Sequence, residues 1–358
     1  MPAMQATVAE QGRMDQTVGR KAGAIPRLDA PPHKEVSRGN RWGVILAGGD
    51  GTRLQKLTRL ICGDDRPKQF CPLFGDDTLL DQTRKRAEKI IPSEQILFPL
   101  TRSHRTFYLQ EPGVRRTQRI IQPVNKGTAP PILYSLLSIE RNDPEAVVAI
   151  LPCDHHYSDE HKFTAVLESA FVLAEAHRDS VVLLGALPHG PEVEYGWIEL
   201  GPPAGGEGSA SFHVRGFCEK PPVHVAQELL DRGSLWNTFV MVGRVRAFLS
   251  MANAIKSDVM DELRLSQLWA GSEVHIPDLL YERISHSDFS REVLSVQASR
   301  LVALRMDRTG WNDLGHPARR GCAARGWHGA LLDEGMASSP QTAFGGCGSA
   351  SMNRVSKK

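Results

Sequence analysis

From Arg41 onward the apolar residues fall into two alternating rhythms: short unbroken runs that suit buried strands, and stretches repeating every three or four positions that suit helices. Residues 44–47 predict a strand and 79–91 a helix, 96–100 a strand and 103–109 a helix, 119–121 a strand and 128–140 a helix. The alternation continues with a strand over 146–151, a helix with Phe163, Val166, Leu167, Ala170 and Leu173 at helical spacing, and a strand over 181–186. This order predicts an α/β fold with a doubly wound, mainly parallel sheet. After Gly185 the texture changes to strand-like pieces at 195–200 and 213–218 around a Gly/Pro/Ser-rich loop at 201–211. That change predicts a small antiparallel insertion where the substrate half begins. Residues 1–40, polar and rich in Pro and Gly, predict a disordered N-terminal extension; 41–320 predict the folded domain, and 321–358 a weakly ordered tail.

Composition narrows the function classes. A chain of 358 residues, 41% hydrophobic and 23% charged, can bury a substantial core. Its formal net charge of +2 offers no basic excess for a polyanion, so nucleic acid is not an expected partner. The cysteines at 62, 71, 153, 218, 322 and 347 form no C-x-x-C pair and no zinc spacing, which predicts reduced thiols in a cytoplasmic protein. No apolar run reaches the length of a membrane span, and the first forty residues lack a signal-peptide core, so no membrane partner is expected.

The chemistry begins at the end of the first strand, where Leu46-Ala47-Gly48-Gly49-Asp50-Gly51-Thr52-Arg53 forms a glycine-rich turn. Gly48, Gly49 and Gly51 lack Cβ atoms, so backbone N–H groups can approach phosphate oxygens, and Arg53 adds a planar fork of donors. The turn has neither the Gly-Lys-Ser/Thr ending of a P-loop nor the third glycine of G-x-G-x-x-G. Arg66-Pro67-Lys68 follows closely enough to fold over the same pocket, Lys68 adding a cation for phosphates. Gln122, Gly127 and Thr128 sit where the third strand gives way to a helix, at the carboxyl edge where such sheets bind ligands. An amide suits a base edge, while Thr128 suits a helix cap equally well. Asp154 ends the fourth strand as a candidate ligand for a hard cation such as Mg²⁺, which needs a second acid; Asp313 is the obvious one. His155 and His156, adjacent and without H-x-x-x-H spacing, read as polar scaffold. Glu219 and Lys220 end a strand ahead of Pro221, offering an acceptor for sugar hydroxyls and a point charge for phosphate. Asn237 either bonds a hydroxyl or completes its own turn.

Taken in order, L-A-G-G-x-G-T-R-L, R-P-K-Q-F, G-T-A-P, L-P-x-D-H, Y-G-W-I, E-K-P, W-N and W-x-D-x-G resemble the sugar-1-phosphate nucleotidyltransferases, above all the mannose-1-phosphate guanylyltransferases, over residues 42–319. The resemblance implies a Rossmann-like enzyme of the nucleotide-diphospho-sugar transferase type, with GTP and mannose 1-phosphate as substrates, Mg²⁺ as cofactor and GDP-mannose and pyrophosphate as products. It implies that Leu46, Ala47, Gly48, Gly49, Gly51, Thr52, Arg53, Gln122, Gly127, Thr128 and Asp154 meet the nucleotide. Gly196, Glu219, Lys220 and Asn237 would meet the sugar phosphate, Asp154 and Asp313 the metal, and Arg53, Lys68, Asp154, Lys220 and Asp313 would carry the catalysis. A homodimer is compatible with it. So are another pair of nucleoside triphosphate and hexose 1-phosphate and an inactive, nucleotide-sugar-binding regulatory homologue, against the last of which the retained Arg53, Lys68, Asp154, Lys220 and Asp313 argue. One departure is Thr238-Phe239, where the family often carries a small Ser-Gly pair after W-N.

Overall fold

The computed structural model describes residues 38–205, 209–252, 257–267 and 274–314. The expected extension up to residue 37 and the tail beyond 320 lie outside the described residues; Arg38–Asn40 form a 3-10 turn leading into the first strand. Strand and helix then alternate: β1 (Arg41–Leu46), α1 (Gln55–Cys62), α2 (Leu79–Ala87), β2 (Ile96–Thr101), α3 (Arg105–Tyr108), β3 (Arg119–Gln122), α4 (Ala129–Asn142), β4 (Val147–Pro152), α5 (Glu160–Ala176) and β5 (Val181–Ala186). The second half adds β6 (Gly196–Pro203), β7 (Ser211–Glu219), α6 (Val223–Asp231), β8 (Leu235–Arg244), α7 (Val245–Met251), α8 (Ser257–Ser266), β9 (Val274–His275), α9 (Asp278–Arg283) and β10 (Leu301–Met306).

All ten strands form one sheet in the order β5-β10-β7-β6-β8-β4-β1-β2-β3-β9. The run β4-β1-β2-β3-β9 is parallel throughout, as short αβ crossovers require. The antiparallel strands are woven into the same sheet: β8 pairs with β4, β5 and β6, and β7 joins β6 to β10. Alternate residues of one strand feed opposite faces, so Val148 and Ile150 join a core with α4, α7 and α9, while Val147, Ala149 and Leu151 join another with α2, α5 and α6. Helices therefore cover both faces, in a doubly wound arrangement.

Some elements escape the sequence pattern. The helix expected over 103–109 shortens to a 3-10 turn and the four residues of α3. The amphipathic α1, whose Leu57 and Ile61 pack on a small cluster with Cys71, Leu73, Leu79 and Leu314, intervenes between the glycine turn and Lys68.

Candidate active site

At the carboxyl ends of the parallel strands lies a cleft of about 360 Å³, lined by Leu46, Gly48, Gly49, Pro99, Gln122 and Pro152 from the strand side, and Asn125, Gly127, Thr128 and Pro131 around the start of α4. Asp154, Phe239, His286 and Asp288 complete its wall. Seven of the residues expected to meet a nucleotide thus lie together: Leu46, Gly48, Gly49, Gln122, Gly127, Thr128 and Asp154.

The glycine turn is fixed from behind. Gln69, buried, donates from its amide to the carbonyls of Ala47 (3.1 Å) and Gly49 (2.7 Å), and the Thr101 hydroxyl donates to that of Gly48 (2.7 Å). A Cβ on Gly48 would run into the Gln122 amide. Gly51 has φ +60°, and a Cβ there would lie 3.0 Å from the Lys68 nitrogen, so the turn and the Lys68 segment touch backbone to backbone. Arg53 points elsewhere: its guanidinium pairs with Glu194 at 3.1 Å, 68% exposed, and neither it nor Ala47, Gly51 and Thr52 lines the cleft.

Gln122 is committed at both ends, donating to the Thr101 hydroxyl (3.0 Å) and accepting from the Tyr281 hydroxyl (2.7 Å). Thr128 makes no cap bond to its own helix; its hydroxyl accepts from the Phe289 N–H (2.8 Å) and so pins the 286–289 segment beside the cleft. Gly127 (φ +92°) leaves room for the same segment, since a Cβ would strike the Ser287 carbonyl. Asp50 bridges the glycine turn to this side through Asn125 (3.1 Å) and His104 (3.3 Å), a link that motif reading alone missed.

Lys68, Asp154 and Asp313 meet. Lys68 Nζ lies 2.8 Å from Asp154 Oδ2 and donates to the Asp313 backbone carbonyl at 3.3 Å. Burial opposes charge on Lys68, but Asp154 and Asp313 more than offset it and raise its pKa; burial likewise opposes charge on Asp154, and Lys68 holds its carboxyl below the usual range. The partners arrive from opposite ends of the domain because residues 309–312 lie along 156–159: His156 and Asn312 exchange backbone hydrogen bonds of 2.9 Å, and Asp159 N–H donates to the Thr309 carbonyl. Gly310, at φ +64°, fits against Ser158 where a side chain would collide. The Tyr195 hydroxyl then donates to Asp313 Oδ1 at 2.6 Å. His155 accepts from the Trp311 indole (3.2 Å) and His156 stacks on Phe74, which places both as scaffold; burial pushes the His155 pKa down to about 4.

Across the sheet, Gly196 opposes Glu219 in the β6–β7 ladder, and a Cβ on Gly196 would lie 3.3 Å from that of Asn237, so these three gather as one polar patch. Burial raises the Glu219 carboxyl, with Asp288 adding to the effect. Asn237 accepts from the Phe239 N–H (3.1 Å), the turn-completing role, and exposed Lys220 donates its backbone N–H to Tyr195. Lys220, Phe239, Arg308 and Leu314 are the non-glycine residues with positive φ among those described, at 50°, 60°, 54° and 55°. Such conformations cost about 1–3 kcal/mol each and gather at functional sites; here Lys220 and Phe239 flank the patch and Leu314 follows Asp313.

Residues 42–319 match the profile of the nucleotidyl transferase family. The chain belongs to that family. Among its relatives, this nucleotidyl transferase is 30% identical over 283 residues to the xanthan biosynthesis protein XanB of Xanthomonas campestris pv. campestris, covering 76% of this chain and 57% of the relative. It is 28% identical over 296 residues to the mannose-1-phosphate guanylyltransferase of Escherichia coli K12, covering 78% and 59% respectively. The chain thus spans somewhat more than half the length of these curated relatives. A crystal structure from Thermus thermophilus, described as a mannose-1-phosphate geranyltransferase, superposes with a TM-score of 0.66 at 28% identity, covering 77% of this chain and 76% of that one. Among the described residues no helix is long and apolar enough to cross a membrane.

Proposed function

We propose that this nucleotidyl transferase joins GTP to mannose 1-phosphate, giving GDP-mannose and pyrophosphate. The observation that carries the reading is the meeting of Lys68, Asp154 and Asp313 beside a glycine-lined cleft, with the Gly196, Glu219 and Asn237 patch close by. A sugar-phosphate oxygen attacks the α-phosphorus as the bond to the β-phosphate oxygen breaks, and pyrophosphate carries away the electron pair. No side-chain nucleophile is required, so catalysis is positioning plus charge stabilisation. Gly48 and Gly49 receive the phosphates, Gln122, Gly127 and Thr128 line the base end, Glu219 and Asn237 accept hydrogen bonds from sugar hydroxyls, and Lys220, exposed next to Glu219, reaches the sugar phosphate. Arg53, paired with Glu194 and outside the cleft, would have to leave that pair to reach the triphosphate.

The donor set fits Mg²⁺. Two acids stand around one cation: Lys68 meets Asp154 through its carboxylate and Asp313 through its backbone carbonyl, while the Asp313 carboxylate accepts from the Tyr195 hydroxyl. Mg²⁺ favours such sites, taking one or two carboxylates plus phosphates and water. Asp154 and Asp313 would hold it, and it would supply neutralisation of the phosphate charge. The names of the relatives support mannose and guanine as the pair. Pyrophosphate release with Mg²⁺, measured across four nucleoside triphosphates and mannose, glucose and N-acetylglucosamine 1-phosphates, tests the reading. A dominant GTP and mannose 1-phosphate signal is expected; a different pair would reassign the pockets, and release from none would leave a nucleotide-binding regulatory protein.

A further inference from the structure

Phe239 is a bulky residue in the left-handed backbone region, where glycine is the ordinary occupant, and it lines the cleft together with Asp154 and Asp288. Its conformation is held firmly. The Asn237 side-chain amide oxygen accepts its N–H at 3.1 Å, and the hydroxyl of the preceding, buried Thr238 donates to the Leu184 carbonyl at 2.6 Å. One side of the half-buried phenyl group packs on the core with α4 and α7. The same cleft wall carries the polar Asp154, Asp288 and Thr128, and two residues before Phe239 stands Asn237 with Glu219 and Gly196. A bulky residue kept in a strained conformation at a cleft wall offers an apolar surface to a ligand, and a pyranose matches it with a face of C–H groups edged by hydroxyls. Ligand sites combine in this way an apolar wall with a few placed polar groups.

We propose that Phe239 sets which hexose 1-phosphate the cleft accepts, its ring forming the wall against which one carbon face of the sugar packs while Glu219 and Asn237 take the hydroxyls. This rests on the sugar-phosphate reading above. The test is equilibrium binding of mannose, glucose and N-acetylglucosamine 1-phosphates, and separately of GTP, to the wild type, Phe239→Gly and Phe239→Leu, with melting curves to show that each is folded. Loss of the ring in Phe239→Gly is expected to weaken the tightest hexose 1-phosphate about tenfold and draw the three affinities together, Phe239→Leu falling between, with GTP affinity changed less than about twofold. Unchanged sugar-phosphate affinity and order in a folded Phe239→Gly protein would overturn the proposal, as would a loss confined to GTP, which would put the ring against the nucleotide. A wild type that binds these sugar phosphates without releasing pyrophosphate would sink the transfer reading and leave Phe239 standing; one that binds none of them would sink both.

Discussion

Asp154 shows how a single carboxylate acquires its role. The apolar run of β4 delivers it to the carboxyl edge of the sheet, and there it serves as the counter-ion of Lys68 at 2.8 Å. Asp154→Asn keeps the shape and removes the charge. Pyrophosphate release should fall about 100- to 1,000-fold, the loss seen when one preorganised electrostatic group is taken from a reacting centre. Steady-state kinetics with GTP in excess would check it, and activity within a factor of about two of wild type would exclude Asp154 from the chemistry. The acid was legible in the sequence because a strand end at this edge is a privileged place; its pairing with Lys68 was not, since the Lys68 segment reaches it only after α1 has turned the chain back.

At the scale of elements, the site depends on docking segments that lack strong patterns of their own. The six-residue α9 is too short to persist alone, and Lys126, just before α4, holds its end by donating to the carbonyls of Tyr281 (2.8 Å), Glu282 (3.0 Å) and Ile284 (2.7 Å). The Tyr281 hydroxyl in turn holds Gln122, and the following 286–289 segment forms the cleft wall with Thr128. Lys126→Met retains the aliphatic stem and loses the three bonds. Each charged hydrogen bond of this kind is worth about 1.5–3 kcal/mol, so chemical denaturation should show a stability loss of at least that of one such bond. Nucleotide affinity should weaken in the same variant because the wall loosens. A variant with wild-type stability and nucleotide binding would show that the tether has no function. Sequence patterning found β1 to β5 because buried parallel strands are nearly continuous apolar runs, whereas α9 and the 286–289 wall are held by side-chain bonds that leave no periodicity.

For the whole molecule, acid stability follows from histidines folded in without their charge. His104 is buried against Phe70, its Nδ1 has no hydrogen-bond partner among the described residues, and burial lowers its pKa below 6.5 although Asp50 pulls the other way. With the folded value depressed, the unfolded chain takes up the proton first. Stability from this group is therefore complete above pH 6.5 and is lost as the pH falls from 6.5 to the folded pKa, with no further loss below it. His104→Gln should remove part of that slope. Melting temperatures of both proteins across this interval would test it, and parallel curves would exclude His104 as a source of acid lability.

The sequence alone determined the α/β class, the strand-helix order through β5, the glycine turn, and which acids stand at strand ends, because each of these is written in local periodicity or in residues with special backbone freedom. It carried the family as well, through motifs whose order chance would not supply. Tertiary structure decided the rest. Only the pairing of residues 309–312 with 156–159 brings Asp313 to Lys68 and Asp154, only the ion pair with Glu194 turns Arg53 away from the cleft, and only the bonds from Thr101 and Tyr281 commit the Gln122 amide. These are contacts between segments distant in sequence, set by how the two cores fit on either face of one sheet, and no window of neighbouring residues contains them.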